Sequence, residues 1–368
     1  MSEGLTPTNL TGNAVATLAV ARWENALADD QLQRQLAAAR EADRADQVGS
    51  TALERRRPLN SGSVPMTSRR DVLRASAAAP LTFLSLGREE AEAAPAIAPT
   101  PYTISINIEI MFNTGRGNPP MPRADRIRAV AAKGFKAYSY WNATPDERKA
   151  MIKAQEETGL KCVSLVGTGN AGGTTGFTKP GAQDALLAEI KERVDIAKEF
   201  GSQPDLITFV GIIQPDVPWE TQRAQIVEGL RRAGDLAAAA GVTIALEPLS
   251  VNPAQPRRAL DRCLEAFPVI KEVNHPNVKV CFDLYHLQRT EGNLVVSLRN
   301  GLQDKLIKIV QIGDNPGRLE PGTGEINYPF IFKELRRLNW TGYVDTEHGT
   351  SSTADHAMDV VRKMAEEN

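Results

Sequence analysis

From about residue 100 the chain alternates short β-branched runs with longer amphipathic stretches. The apolar runs predict strands at Tyr102–Ile108, Lys136–Tyr140, Cys162–Val166 and Leu206–Val210. A second set of four lies at Val242–Leu246, Val278–Phe282, Ile307–Val310 and Tyr343–Thr346. Helical spacing fills the gaps at about 123–133, 145–158, 181–200, 219–240, 257–274, 293–304, 328–338 and 354–366. Thr144-Pro145 ahead of Asp146 and Glu147, and Pro218-Trp219-Glu220, are helix starts. Gly134, Gly159, Gly201 and Gly241 stand where helices end. Strict strand–helix alternation implies a parallel sheet with helical crossovers. Eight such units in about 265 residues predict a (β/α)8 barrel of the TIM type. The rival, a doubly wound sheet with a nucleotide site, lacks a G-x-G-x-x-G after the first strand and any G-x-x-x-x-G-K-[ST]. The glycines between Gly167 and Gly173 are expected in a loop.

The first 98 residues break this rhythm. Residues 13–46 are alanine-rich with interspersed charge, and 47–65 turn to Gly, Ser, Pro and Arg, so 1–65 reads as a disordered or helical extension. Residues 66–98 carry Arg69-Arg70, a short apolar run from Ala75 to Gly87, and Ala91-Glu92-Ala93. That order matches a twin-arginine signal, with export to the periplasm as the expectation and a cytoplasmic protein as the alternative. Residues 99–368 form the barrel in this reading. No stretch supplies the apolar length of a membrane span.

Composition narrows the function. Lys plus Arg number 43 against 45 for Asp plus Glu, and aromatic residues make up 5%, so neither global charge nor stacking surface points to nucleic acid. The three cysteines, Cys162, Cys263 and Cys281, lie far apart and form no Cys-x-x-Cys. With four histidines in the chain, a metal site has to rest on carboxylates.

Such a site is visible. The fifth to eighth strands end in Glu247, Asp283, Gln311 and Glu347, spaced by 36, 28 and 36 residues, each about one strand–helix unit. Strand C-termini of a barrel open on one face, so these side chains converge. Three carboxylates and an amide oxygen suit a hard divalent ion, Mg²⁺ or Mn²⁺. Taken singly, each could instead be a salt-bridge partner or helix cap. His286, three residues after Asp283, is a supporting or substrate-binding group. The loop after the seventh strand, Gly313 to Asn327, is polar and glycine-rich with one arginine, Arg318, suited to a hydroxylated or anionic ligand. Glu109 and Trp141, after the first and second strands, are candidates for the pocket wall.

These residues resemble the hydroxypyruvate isomerases and the wider xylose-isomerase-like TIM barrels, which include ketose 3-epimerases. The most specific stretch runs from Val310 to Pro329, VQIGDNPGRLEPGTGEINYP; Leu246-Glu-Pro248, Phe282-Asp-Leu-Tyr-His286 and Thr346-Glu347 match the other strand motifs. The resemblance implies that Glu247, Asp283, Gln311 and Glu347 hold the metal and that Glu247 and Glu347 act as the acid–base pair. It also implies that His286 and Arg318 touch substrate. Three departures bear on the substrate: Ser139-Tyr140-Trp141 where the family usually ends its second strand in an acid, a short segment Leu249–Pro256, and Ser164–Gly169 in place of a histidine region. The expected activity is metal-dependent isomerisation of hydroxypyruvate or a related sugar acid through an enediolate. The alternatives are ketose 3-epimerisation and a non-catalytic sugar-binding barrel. The expected partner is a small sugar or sugar acid, and a homo-oligomer is left open.

Overall fold

The computed structural model describes residues 100–113, 118–250, 253 and 255–368. The extension assigned to 1–65 and the signal-like segment at 66–98 lie outside the described residues. Eight parallel strands close in chain order into a barrel: β1 (Thr103–Asn107), β2 (Ala137–Ser139), β3 (Lys161–Val166), β4 (Asp205–Thr208), β5 (Ile244–Leu246), β6 (Val278–Asp283), β7 (Ile307–Ile312) and β8 (Tyr343–Thr346). Around it run α1 (Arg123–Ala132), α2 (Pro145–Thr158), α3 (Asn170–Gly173), α4 (Gln183–Glu199) and α5 (Trp219–Ala238). They continue as α6 (Cys263–Val273), α7 (Leu284–Thr290), α8 (Leu294–Gln303), α9 (Tyr328–Arg337) and α10 (Ala354–Glu367). The expected TIM barrel is therefore the fold. Among the described residues, no helix is long and apolar enough to cross a membrane.

The elements follow local chemistry. Thr144 begins α2 with a reciprocal capping box to Glu147, and Gly159 ends it in the left-handed conformation. The helices bury one face against the strands, in clusters that include Ile127, Met151, Leu186, Ile226, Phe332 and Val361.

Three details differ from the sequence reading. Asn170–Gly173, expected as loop, closes one helical turn, with the Thr174 hydroxyl donating to the Asn170 carbonyl at 2.8 Å. Its small residues give no sequence signal; glycine at 172 lets the turn lie close to Thr168, where a Cβ would sit 2.6 Å from that side chain. Helix α6 starts at Cys263 rather than 257, because the chain before it is committed elsewhere: Ile213 N–H donates to the Arg257 carbonyl and Ala259 N–H to that of Gly211. Helix α7 was not expected; Asp283 starts it by accepting from the Tyr285 N–H at 2.8 Å.

Candidate active site

Side chains alternate along a strand, so residues two apart stack as layers inside the barrel. Ile207, Ala245, Cys281 and Ile309 form a small apolar cluster on β4 to β7. Ser105, Ser139 and Asp345, on β1, β2 and β8, are buried polar residues. Two residues beyond Ala245, Cys281, Ile309 and Asp345 in the chain stand Glu247, Asp283, Gln311 and Glu347, at most 7% exposed. A cleft of about 220 Å³ opens above, with Asn107, Trp141, Phe209, Glu247, Gln311, Arg318 and Glu347 in its wall.

The cleft holds a ring of charge. Arg318 Nη2 lies 3.0 Å from Glu347 Oε1 and 3.3 Å from Asp283 Oδ2, and its Nε donates to the Glu347 carbonyl at 3.2 Å. The guanidinium also stacks over Tyr285 at 4.9 Å. On the other side of Asp283, His286 Nε2 stands 3.5 Å from Glu247 Oε1 and 3.6 Å from Asp283 Oδ2. Its Nδ1 is 2.8 Å from the Ser250 hydroxyl. Burial pushes the Glu247 carboxyl well above its ordinary pKa, reinforced by Glu347 and Asp283 and opposed by Arg318. Burial also raises Asp283 to about 7, with Arg318 pulling it back. The His286 imidazole is held well below its usual range by burial and by Arg318.

These donors fit a divalent cation. One ligand atom from each of Glu247, Asp283 and His286 lies within 4.8 Å of the other two. Glu247 Oε1 and His286 Nε2 are both buried and lack hydrogen-bond partners, an arrangement that is costly unless something cationic completes it. His286 therefore stands closer to the carboxylate centre than the sequence reading placed it. Gln311 is in the cleft wall, with Oε1 3.1 Å from the Cys281 thiol and Nε2 3.4 Å from Asp345 Oδ2.

Arg318 is aimed by a loop built on one carboxylate. Asp314 is fully buried and accepts N–H groups from Asn315, Gly322, Gly324 and Ile326 at 2.8–3.1 Å. Gly324 is required there, since a Cβ would lie 2.0 Å from the Asn315 carbonyl oxygen. The folded-back chain holds Arg318 at φ +50°, a conformation non-glycine residues seldom adopt.

Of the other candidates, Trp141 lines the cleft and Glu109 does not. Glu109 is tied to Arg123 at the start of α1 by two hydrogen bonds of 2.8 and 3.1 Å, so its charge is spent on a helix terminus. Sequence reasoning missed Asp345 and Cys281. Both lie two residues before a candidate ligand on the same strand, and the two-residue alternation that orients Glu347 and Asp283 would have turned them inward as well.

The xylose isomerase-like TIM barrel family model matches residues 127–364. The chain belongs to that family. It is 30% identical over 233 residues to the 2-oxo-tetronate isomerase of Pectobacterium atrosepticum, covering 62% of this chain and 87% of that protein. It is 31% identical over 176 residues to the hydroxypyruvate isomerase of Escherichia coli, covering 48% of this chain and 67% of the other. Among solved structures it superimposes on a family 2 AP endonuclease from Brucella melitensis (TM-score 0.60, 24% identity, 70% of this chain and 96% of that one). It also superimposes on a 3-keto-D-glucoside 4-epimerase from E. coli (TM-score 0.59, 20% identity, 72% and 98%). At those identities the structural likeness speaks for the fold. The sequence relatives define the class, and the chain is an isomerase.

Proposed function

We propose that the chain is a divalent-metal-dependent aldose–ketose isomerase acting on hydroxypyruvate or a related short sugar acid. The observation that carries this reading is the pair of buried glutamates, Glu247 and Glu347, facing one small cleft from β5 and β8. Drug-sized ligands occupy roughly 300–1,000 Å³; a cleft of about 220 Å³ suits a three- or four-carbon acid. The names of the sequence relatives support the same substrate class.

Isomerisation moves a proton between adjacent carbons through an enediolate. In this reading one glutamate takes the carbon-bound proton and the other returns a proton to the neighbouring carbon, the two exchanging roles with direction. Mg²⁺ or Mn²⁺, held by Glu247, Asp283, Gln311 and Glu347 with His286 in reach, would stabilise the negative charge that develops on the substrate oxygens. Arg318 offers its guanidinium to the acid end of the substrate. His286, uncharged because burial disfavours its cation, has Nδ1 engaged by Ser250 and presents Nε2 beside Glu247 and Asp283, where the metal-bound substrate would sit. Phe209 and Trp141 give the cleft wall an apolar surface against which the substrate carbons can rest.

A panel of short keto acids and ketoses, incubated in D₂O with Mg²⁺ or Mn²⁺, tests the proposal. Deuterium entering next to the carbonyl of a hydroxy-keto acid is the expected result. Entry only at C3 of a ketose would make it an epimerase, and binding without exchange would make it a sugar-binding barrel. For the leader we propose twin-arginine export, tested by localising an Arg69→Lys/Arg70→Lys double variant; unchanged localisation would exclude that route.

A further inference from the structure

Glutamine is a demanding residue at the centre of this site. Its amide has an oxygen end that accepts and a nitrogen end that donates, and the two are nearly identical in shape. If Gln311 serves the cation through its oxygen, something must keep the NH₂ end turned away, since a flipped amide would point two N–H bonds at the charge. Within the barrel the Gln311 amide has two protein neighbours of opposite character. On the β6 side the Cys281 thiol, a donor, lies 3.1 Å from Oε1. On the β8 side Asp345 Oδ2 lies 3.4 Å from Nε2. A carboxylate accepts and does not donate, so a flipped amide would set its oxygen against another acceptor.

Asp345 is well placed to enforce that choice. It is fully buried and pairs with Gln311 in the β7–β8 register. The Ser139 hydroxyl donates to the same Oδ2 at 2.8 Å, anchoring the carboxylate from across β1. Gln311 pairs with Asp283 in the β6–β7 register, and its Oε1, in contact with the Cys281 thiol, lies toward β6, the strand that also carries Asp283. We infer that Asp345 is a positioning residue: it selects the Gln311 amide orientation that presents oxygen, not nitrogen, to the cation centre. This rests on the ligand role proposed for Gln311.

Metal affinity of the purified full chain, measured by titration calorimetry with Mn²⁺ alone, reads the effect without turnover. Asp345→Asn can face either end of the amide, so affinity should fall roughly 10–100-fold, the usual scale for losing a group that orients a ligand. Glutamate at 311 has two equivalent oxygens and no orientation to select. In a Gln311→Glu background the same Asp345→Asn change should therefore cost nothing, or gain affinity by removing a like charge. An equal loss in both backgrounds would mean Asp345 acts by general charge or packing, and the inference fails. Unchanged affinity in Asp345→Asn alone also overturns it. Gln311→Leu separates the underlying reading: if it leaves Mn²⁺ affinity intact, Gln311 is no ligand and both ideas fall. Should the asparagine variant not fold, Asp345→Ala, which likewise removes the acceptor, must show the same background dependence.

Discussion

Replacing Glu347 by glutamine removes a base while leaving an oxygen and nearly the same shape. The structure lets the consequences be separated. Arg318 loses its 3.0 Å charged contact but keeps Asp283 at 3.3 Å, and its Nε bond goes to the residue 347 backbone carbonyl, which the substitution does not touch. The aim of the guanidinium should therefore survive. Loss of the negative charge also relieves Glu247 and Asp283, both of which Glu347 pushes toward protonation. The metal-free variant should melt no lower than the parent. Turnover should fall at least about a hundredfold, the scale of a lost acid–base group, or about 3 kcal/mol of transition-state stabilisation. Mn²⁺ affinity should fall less than turnover. Glu247→Gln should behave alike, and the double variant should be little worse than the worse single, because a proton-transfer pair acts as one unit. Turnover, melting temperature and Mn²⁺ affinity measured on the same preparations decide the matter. A folded, metal-loaded Glu347→Gln protein with near-normal turnover would refute the reasoning. Loss of activity in step with loss of folded protein would show the pair to be merely structural.

Two further outcomes follow from the same geometry. At about pH 7.5, a unit above the ordinary histidine value, unfolded histidines are largely neutral and burial keeps His286 and His348 neutral in the folded chain, whereas folded Glu247, and in part Asp283, still hold protons that the unfolded chain has lost. Stability of the metal-free protein should therefore fall as pH rises from about 7.5 to about 8.5, by up to about 1.4 kcal/mol per unit for each group; a melting temperature that is flat or rising over that range, in chelator, would contradict the raised carboxyl values. Gln311→His exchanges a hard amide oxygen for an imidazole and should move the metal preference from Mg²⁺ and Mn²⁺ toward Co²⁺ or Zn²⁺, and an unchanged ranking in competition titrations would take Gln311 out of the ligand set.

The barrel was legible because its signal repeats. Each of eight units restates the same switch from strand to helix, and errors at single boundaries do not change the count. The positions of Glu247, Asp283, Gln311 and Glu347 were legible for the same reason, each lying at the same point of its unit. What escaped depends on neighbours distant in sequence. Glu109 has the residue type and place of a pocket acid, yet Arg123 and Arg126 on α1 claim it. His286 could be placed near Asp283, but its approach to Glu247 comes from helix α7, whose start depends on Asp283 acting as a cap. Asp314 gave no hint from its own type; its four N–H donors come from a loop that closes on itself.

Ser139 and Asp345 show how a departure from a family pattern can be absorbed. The family resemblance leads one to expect an acid at the end of the second strand, and this chain has Ser139-Tyr140-Trp141, of which Ser139 is the last residue of β2. The structure supplies a carboxylate to the same hydroxyl from β8, on the far side of β1, at 2.8 Å. Burial raises that Asp345 carboxyl to about 6, against the pull of the Ser105 and Ser139 hydroxyls, so keeping it there opposes folding at neutral pH. A hydrophobic residue would fill the space at less cost, as Ile207, Ala245 and Ile309 do in the apolar cluster on β4, β5 and β7. What an apolar side chain could not do is accept from Gln311. The buried Ser139–Asp345 pair therefore makes physical sense as support for the Gln311 amide, and the serine at the end of β2 and the acid on β8 belong to one arrangement.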